Sequence, residues 1–473
     1  MSSANQSSRR QFLKLIGATA LATTGFSSYV RAAGNASKHV VVVGGGVGGA
    51  TFAKYLRLYA PDVSVTVIEK NKEYLRPYGS SEVIVDHASM KDLSVSYDQL
   101  KQKYGINFIF DTATEVDFNK QLVKTASGQS VGYDRLIVSP GISFDFTSIE
   151  GLTQQVSDTV MPHAWIPGPQ LELLTKQLKT MPKGGTVLVC PPTNPYRCPP
   201  GPYERAGLIT QYLKEHNPTA KVIVLDPKSS FTTDVTMLQA WNRLYQFNIP
   251  EDFKGYTVEA LQDTGLTEAE AKEQLDGFKP IKHDRPGQLS WVMGSQGGRI
   301  LRVDAATKTV YTEGGEYKAD VINIIPPMKA GKIAFDWGLV DKTGWCPVDR
   351  VTFESSLRKN VHVIGDSCIA DAMPKSGYSS NSQAKVVALQ VKALLSGKAP
   401  QEPIFQNTCY ALAGNKDYGQ FVSDVFRIKD GKIVRASNPR LLPLNLKDND
   451  LRYALSGFYT NNWMKSFTDD CFA

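Results

Sequence analysis

The sequence predicts an α/β protein, two Rossmann-like βαβ units joined to a C-terminal interface domain. Three observations predict it. "KHVVVVGGGVGGATFAKYLRLYAPDVSVTVIEKN" sets strand, glycine turn, helix, second strand and a terminal acid in order. "GTVLVC", "YERAGLITQYLKEH" and "KVIVLD" repeat strand, helix and strand further along. Two more strand-like runs, "GYDRLIVSPGI" and "VHVIGDSCIA", end in Pro-Gly and Gly-Asp. A chain of 473 residues is long enough for two or three domains.

In the first unit, Val40–Val43 reads as a buried strand, 50–58 as a helix and Val63–Ile68 as the second strand. Gly44, Gly46 and Gly49 supply GxGxxG. The first glycine allows the tight turn, the second lets the backbone approach a pyrophosphate, and the third lets helix pack on strand. The helix N-terminus then faces the phosphates with its partial positive charge. Glu69 ends the second strand, where it can accept both hydroxyl hydrogens of an adenosine ribose. Lys70, Val116 and Gly141 complete the candidate contacts of this half. Far down the chain, Gly365-Asp366 ends a strand and precedes "MPKSGYSSNSQAKVVALQVKALLSG", an amphipathic helix opening on Pro and small polar residues. That helix N-terminus, with Lys375 beside it, suits negative charge on a reduced flavin. "GYDRLIVSPGI" and "VHVIGDSCIA" resemble the distal motifs of two-dinucleotide-domain flavoproteins, and that resemblance implies FAD rather than NAD.

The second unit, expected over 155–317 with its core at 186–226, carries "PPTNPYRCPPGPYERA" where a glycine fingerprint would stand. That loop holds six prolines and Cys198. Proline has no N–H and a fixed φ, so the loop cannot offer phosphates a row of backbone donors. Electrons must reach the flavin from something other than a nicotinamide nucleotide. A second Cys-Pro, in "GWCPVD", places Cys346 about twenty residues before the Gly-Asp motif. Two cysteines over a flavin can form a redox disulfide. A structural disulfide or two buried thiols are the other readings of the same spacing.

The N-terminus, "SSRRQFLKLIGATALATTGFSSYVRAAGNA", sets Arg9 and Arg10 before a moderately apolar stretch and a small-residue site ending at Ala32. Residues 1–33 read as a twin-arginine export signal, which places the protein in the periplasm. Its four basic residues leave with it, and the formal charge falls from +7 to +3, so nucleic acid is not implied. No apolar run reaches the roughly 18–20 residues that span a bilayer. The six cysteines form no CxxC, zinc or haem pattern, and the six histidines are scattered, so no metal site is expected.

In its motifs "RCPPGPYERA", "VINIIPPMKAGKIA", "GWCPVD", "FESSLRKNVHVIGD", "MPKSGYSSNSQAKV", "PHAW" and "NTCY", the chain resembles the flavoprotein subunit of flavocytochrome c sulfide dehydrogenase along essentially its whole length. The resemblance implies a glutathione-reductase type of fold. The FAD domain would be split into 36–154 and 318–394 around the second unit, with the interface domain over 395–473. It implies FAD, sulfide as substrate, a c-type cytochrome subunit as partner, and a redox disulfide on Cys198 and Cys346. It departs from the family at "EYLRPYGSSEVI", where Pro77 stands at the position of a flavin-linking cysteine, so non-covalent FAD is expected. It also departs at 250–294, a long stretch in which Thr267 and Glu270 form a capping box, expected on a solvated surface helix. The runner-up is a sulfide:quinone oxidoreductase, which shares the fold and the cysteine pair. A non-catalytic sulfur carrier or cytochrome-binding flavoprotein is the third reading. Arg197, Arg205 and Lys375 are expected to favour thiolate and an anionic substrate, with surface cations as the alternative.

Overall fold

The computed structural model describes residues 29–30 and 38–473, apart from 252, 254, 256, 263–265, 278–279, 416 and 437–448. Apart from Tyr29–Val30, the stretch expected to be an export signal lies outside the described residues.

Strand β1 (Lys38–Val43) carries four consecutive valines, each at most 6% exposed. An unbroken β-branched run suits a parallel strand covered on both faces. Helix α1 (Val47–Tyr59) starts directly after the glycine turn, three residues before the expected Ala50, and β2 (Val63–Ile68) lies parallel to β1. β3 (Asn107–Ile109) extends the sheet beyond β2, and β4 (Arg135–Val138) pairs with the other edge of β1. Val116 stands apart, in the strand Ala113–Asp117 of a separate sheet.

The second unit repeats the pattern with β5 (Thr186–Cys190), α2 (Gly201–His216), β6 (Lys221–Leu225), β7 (Leu289–Val292) and β8 (Val321–Ile324). Its four strands are parallel, in the order β7-β6-β5-β8. Because β8 pairs with β5, the sheet of this unit takes in residues 321–324, past the expected end at 317. Between β6 and β7 lies the helix Glu268–Gly277, opened by the expected capping box. The Glu270 carboxylate accepts from the Thr267 N–H at 2.7 Å, and Thr267 Oγ1 accepts from the Glu270 N–H at 3.2 Å. One face of this insertion is dry. Leu261 and Ala271 are buried against Cys409 and Val422, so the insertion covers the C-terminal sheet rather than standing free in solvent.

The chain then returns to the first sheet and adds β9 (Val361–Val363) beside β4, giving the order β9-β4-β1-β2-β3. Helix α3 (Gly377–Leu395) packs along α1. An antiparallel sheet follows, made of β10 (Ile404–Leu412), β11 (Gly419–Lys429) and β12 (Lys432–Arg435), and then the long helix α4 (Asn449–Phe472). No helix among the described residues is long and apolar enough to cross a membrane.

Helix α4 packs on β11 of the antiparallel sheet and carries the C-terminal domain onto α1 of the first unit. Trp463 and Phe467 stack at 4.8 Å and meet Tyr78 at 5.8 and 5.4 Å. Polar bonds lock its end. Lys54 of α1 donates to the Asp469 and Asp470 carbonyls at 3.1 and 2.9 Å. The Asp470 carboxylate accepts from Tyr55 at 2.5 Å and Asn381 at 2.7 Å and pairs with Lys385 at 2.8 Å. Asp470→Ala strips the acceptor from three partly covered donors at once. It should cost about 2 kcal/mol, read as a fall of a few degrees in the midpoint of thermal unfolding.

Candidate active site

The first unit forms a dinucleotide cradle. Gly44 has φ +98°, and a Cβ there would stand 2.3 Å from the Ser139 carbonyl oxygen. A Cβ on Gly49 would stand 1.9 Å from the Gly44 carbonyl oxygen, so only glycine lets α1 close on the turn. Glu69 is already aimed, since its two carboxylate oxygens accept from the N–H groups of Gly45 and Asn71 at 2.8 and 2.9 Å. Across the cleft, Asp366 follows β9 on the turn made by Gly365, φ +77°. Asp366 Oδ1 is buried without a partner, and burial raises the carboxyl pKa even though Arg197 and Lys375 pull it down. A buried acceptor left open normally marks a missing donor. A ribityl hydroxyl of FAD would supply such a donor to Asp366, the glycine turn and the N-terminus of α1 would receive the pyrophosphate, and Glu69 the adenosine ribose, so the residues present fit the cofactor.

Cys198 arrives from the second unit. Its backbone is left-handed, φ +61°, a strained state for a residue with a Cβ. Its N–H donates to the Lys375 carbonyl at 2.8 Å, which ties the proline loop to the FAD-side motif. Lys375 Nζ donates to the carbonyls of Asp366 and Cys368 at 2.8 and 3.0 Å and lies 3.7 Å from the centre of the Trp345 ring. Cys346 follows that tryptophan and is fully buried. Both cysteines of the expected pair thus border Lys375, from opposite domains. None of the six cysteines is joined in a disulfide in this structure, so the Cys198–Cys346 bond is not formed here and no disulfide links Cys409 to Cys471.

The cations do not make thiolates here. Burial pushes the Cys198 and Cys346 thiols up to about 12, while Arg197 and Lys375 counteract only in part. Arg205 is not a surface cation. It is 1% exposed, donates to the carbonyls of His163 and Ala164 and to Asn323 at 2.7–3.0 Å, and lies 4.9 Å from the Trp165 ring. Glu204, one residue before it, raises the Cys198 pKa by its charge. Glu204 keeps some accessible surface, yet protein surrounds its carboxyl closely enough that burial lifts its pKa to about 7. One of its oxygens accepts from the Leu412 N–H at 2.7 Å.

The second unit has lost its own cradle. The first amides of α2 point inward, with Gly201 N–H donating to the Cys198 carbonyl and Tyr203 and Glu204 N–H to that of Pro200. Asp226 stands after β6 where Glu69 stands after β2. It is fully buried and accepts from Tyr203, from Trp291 at 3.1 Å and from Lys228 at 2.7 Å. Tyr203 stacks on Phe231 at 3.4 Å. The acid that would meet a nicotinamide nucleotide's ribose is committed to protein partners, and aromatic rings pack around it.

Three family models match the chain in succession. They are pyridine nucleotide-disulphide oxidoreductase over residues 38–165, the central part of the sulfide dehydrogenase [flavocytochrome c] flavoprotein chain over 171–326, and the flavocytochrome c sulphide dehydrogenase flavin-binding model over 401–472. The sulfide dehydrogenase [flavocytochrome c] flavoprotein chain of Chlorobaculum thiosulfatiphilum is 54% identical over 39 residues, 8% of this chain and 81% of that sequence. The chain belongs to the family of flavocytochrome c sulfide dehydrogenase flavoproteins. Its cofactor is FAD. The sulfide-quinone reductase of Aquifex aeolicus is 37% identical over 110 residues, 22% of this chain and 24% of that one. The mitochondrial sulfide:quinone oxidoreductase of Mus musculus is 22% identical over 331 residues, 69% and 65%. Matches to the first curated relatives thus span from about a quarter to just under two thirds of their length. The solved Aquifex aeolicus sulfide:quinone oxidoreductase shares the fold, with TM-score 0.63 at 19% identity over 92% of both chains.

Within this family frame, Gly44, Gly46, Gly49 and Glu69 form the glycine turn of the first unit, Gly141 accepts from Ser367 next to Asp366, and Lys375 links Asp366 to Cys198 and to Trp345 before Cys346. Lys70 is exposed beside Glu69, and Val116 packs on the core from its separate sheet, with no bond toward the cleft. Sequence reasoning missed Glu204, whose signal was an acid in the first helical turn after the cysteine loop. It also missed Trp345, which adjoins Cys346. Two outcomes follow. With proline at position 77, acid denaturation should release all the FAD into the supernatant, read by its absorbance; flavin retained on the washed polypeptide would show a covalent bond. With Asp226 and the α2 amides occupied, NADH and NADPH should not reduce the flavin rapidly in stopped-flow mixing.

Proposed function

We propose that this flavoprotein is a sulfide dehydrogenase of the periplasm. It would oxidise sulfide to sulfur or polysulfide at Cys198 and Cys346 and pass the electrons to a c-type cytochrome subunit. The observation that carries the reading is the convergence of Cys198 and Cys346, from two domains, on Lys375 beside the FAD cradle. The family supports sulfide and a cytochrome, and an occupied second cradle leaves room for a donor that is not a nucleotide.

In the oxidised form Cys198 and Cys346 are joined. Hydrosulfide attacks one sulfur: a new S–S bond forms, the Cys198–Cys346 bond breaks, and the electron pair leaves on the other cysteine as thiolate. Bound FAD supplies a two-electron acceptor that can release electrons singly. Lys375 holds positive charge beside Cys346 and offsets part of what burial costs that thiolate. Glu204, with a pKa of about 7 beside Cys198, takes the proton of the incoming sulfur or returns one to a leaving thiolate at neutral pH. The left-handed backbone of Cys198 and the prolines around it hold the sulfur in place, and positional precision of that kind governs rate.

A quinone acceptor is the second reading, favoured by the sulfide:quinone oxidoreductase relatives and by the exposed Leu451, Leu455, Phe458 and Tyr459 on one face of α4. Reoxidation of the sulfide-reduced protein by cytochrome c but not by a short-chain quinone supports the first reading; the reverse pattern supports the second. Flavin that sulfide does not bleach would leave only the carrier reading.

Replacing Cys198 or Cys346 by Ser should leave FAD bound and slow sulfide-dependent flavin reduction by at least about a hundredfold. The same change at Cys190, buried at the end of β5, should do much less. Glu204→Gln keeps the acceptor for Leu412 and should slow the reaction at pH 7 by roughly a hundredfold. It should also change the pH dependence of stability. The folded-state pKa of Glu204 is raised, so its contribution to stability is complete below the ordinary carboxyl pKa of 4.5 and is lost as pH rises through about 7. The unfolding midpoint of the parent should therefore decline between about pH 5 and 8 relative to Glu204→Gln.

A further inference from the structure

A third thiol adjoins the pair. Cys346 and Cys368 are partners in an isolated parallel bridge, in which the Cys346 N–H donates to the Ser367 carbonyl and the Ile369 N–H to the Cys346 carbonyl, both at 2.9 Å. Strands bonded in this way run about 4.8 Å apart, inside the Cα spacing of roughly 4.4–6.8 Å that a disulfide requires. Bridge partners also turn their side chains to the same side of the ladder. Each thiol feels the other's surroundings, since the Cys368 charge acts on Cys346 and Lys375 acts on both. Cys368 is buried, and its thiol lies on two soft contacts, 3.1 Å from the Gly365 carbonyl and 3.5 Å from Gln383 Oε1. A rotation about its Cα–Cβ bond turns the sulfur off these acceptors.

We propose that Cys368 is an alternative disulfide partner of Cys346, giving the site a second oxidised state in which Cys198 is a free thiol. The proposal rests on the reading above that Cys346 is redox-active. The exchange needs no outside oxidant. The Cys368 thiolate attacks Cys346 Sγ in the Cys198–Cys346 disulfide, the Cys346–Cys368 bond forms as the other breaks, and the electron pair leaves on Cys198. The proton given up by Cys368 ends on Cys198, and no group is oxidised or reduced overall. In the second state Cys346 is sealed while Cys198, still held by its loop, is free to carry sulfur.

The test is non-reducing peptide mapping of the FAD-loaded protein after reduction, oxidation with diamide and alkylation. Diamide accepts the two electrons and two protons of disulfide formation. Cys198→Ser should yield a cross-linked Cys346–Cys368 peptide pair and lose two alkylatable thiols, with its flavin absorbance retained. Cys198→Ser/Cys368→Ser should lose neither. Cys368→Ser should yield the Cys198–Cys346 pair, which also shows that the oxidant reaches Cys346. If Cys368→Ser gives that pair while Cys198→Ser leaves Cys346 and Cys368 fully alkylatable, the proposal is overturned and the function reading stands. If only Cys198→Ser gives a cross-link, the Cys198–Cys346 pairing fails and Cys368 remains the partner. If neither variant cross-links, both are overturned.

Discussion

A half-buried ammonium group organises this protein. Lys375 lies among two carbonyls and an indole ring, and burial lowers its pKa. A desolvated cation of this kind is tolerated only where its donors are fully used. Its carbonyls come from Asp366 and Cys368, which fixes the turn after β9, and the ring comes from the residue before Cys346. Its own carbonyl receives Cys198 from the other domain. Cradle, aromatic wall and both cysteine loops therefore share one residue, and moving any of them disturbs the others.

That arrangement also explains why the second unit could keep the architecture of a nucleotide domain after losing its ligand. A βαβ unit is held by parallel pairing and helix packing, which β5, α2 and β6 supply without any cofactor. What a cofactor would have satisfied had to be satisfied otherwise. Asp226 received Tyr203, Trp291 and Lys228, and the leading amides of α2 received carbonyls of the cysteine loop. The loop freed from phosphate binding then reaches across to the flavin side.

Much of this was legible in the residues. Glycine spacing, valine runs and the acid after β2 encode local geometry, so the first unit, the second unit and the Gly-Asp turn were placed within a few residues. Long-range contacts were not legible. Nothing in "YERA" states that Glu204 would be enclosed beside Cys198, because the strand that caps it, with Leu412, lies 208 positions away. Likewise the capping box of Thr267 announced a helix but not the face it covers, which depends on where β10 and β11 run. The cations near the cysteines could be seen in sequence, whereas the depth that outweighs them could not.

The bonds between Lys54 and the end of α4 join residues 415 and more positions apart. Contacts of such separation carry a large loop-closure cost and form late. The first helix of the FAD unit is made early on the ribosome, and its sheet lacks β9 until residue 363 and its outer helix α3 until residue 395. The inserted second unit has all four of its strands by residue 324, but its core waits for Ala411, Leu412, Ala413 and Tyr453, which pack into it from the C-terminal domain. Biosynthesis therefore passes through a stage in which both dinucleotide units have their sheets and still lack the C-terminal residues that close them.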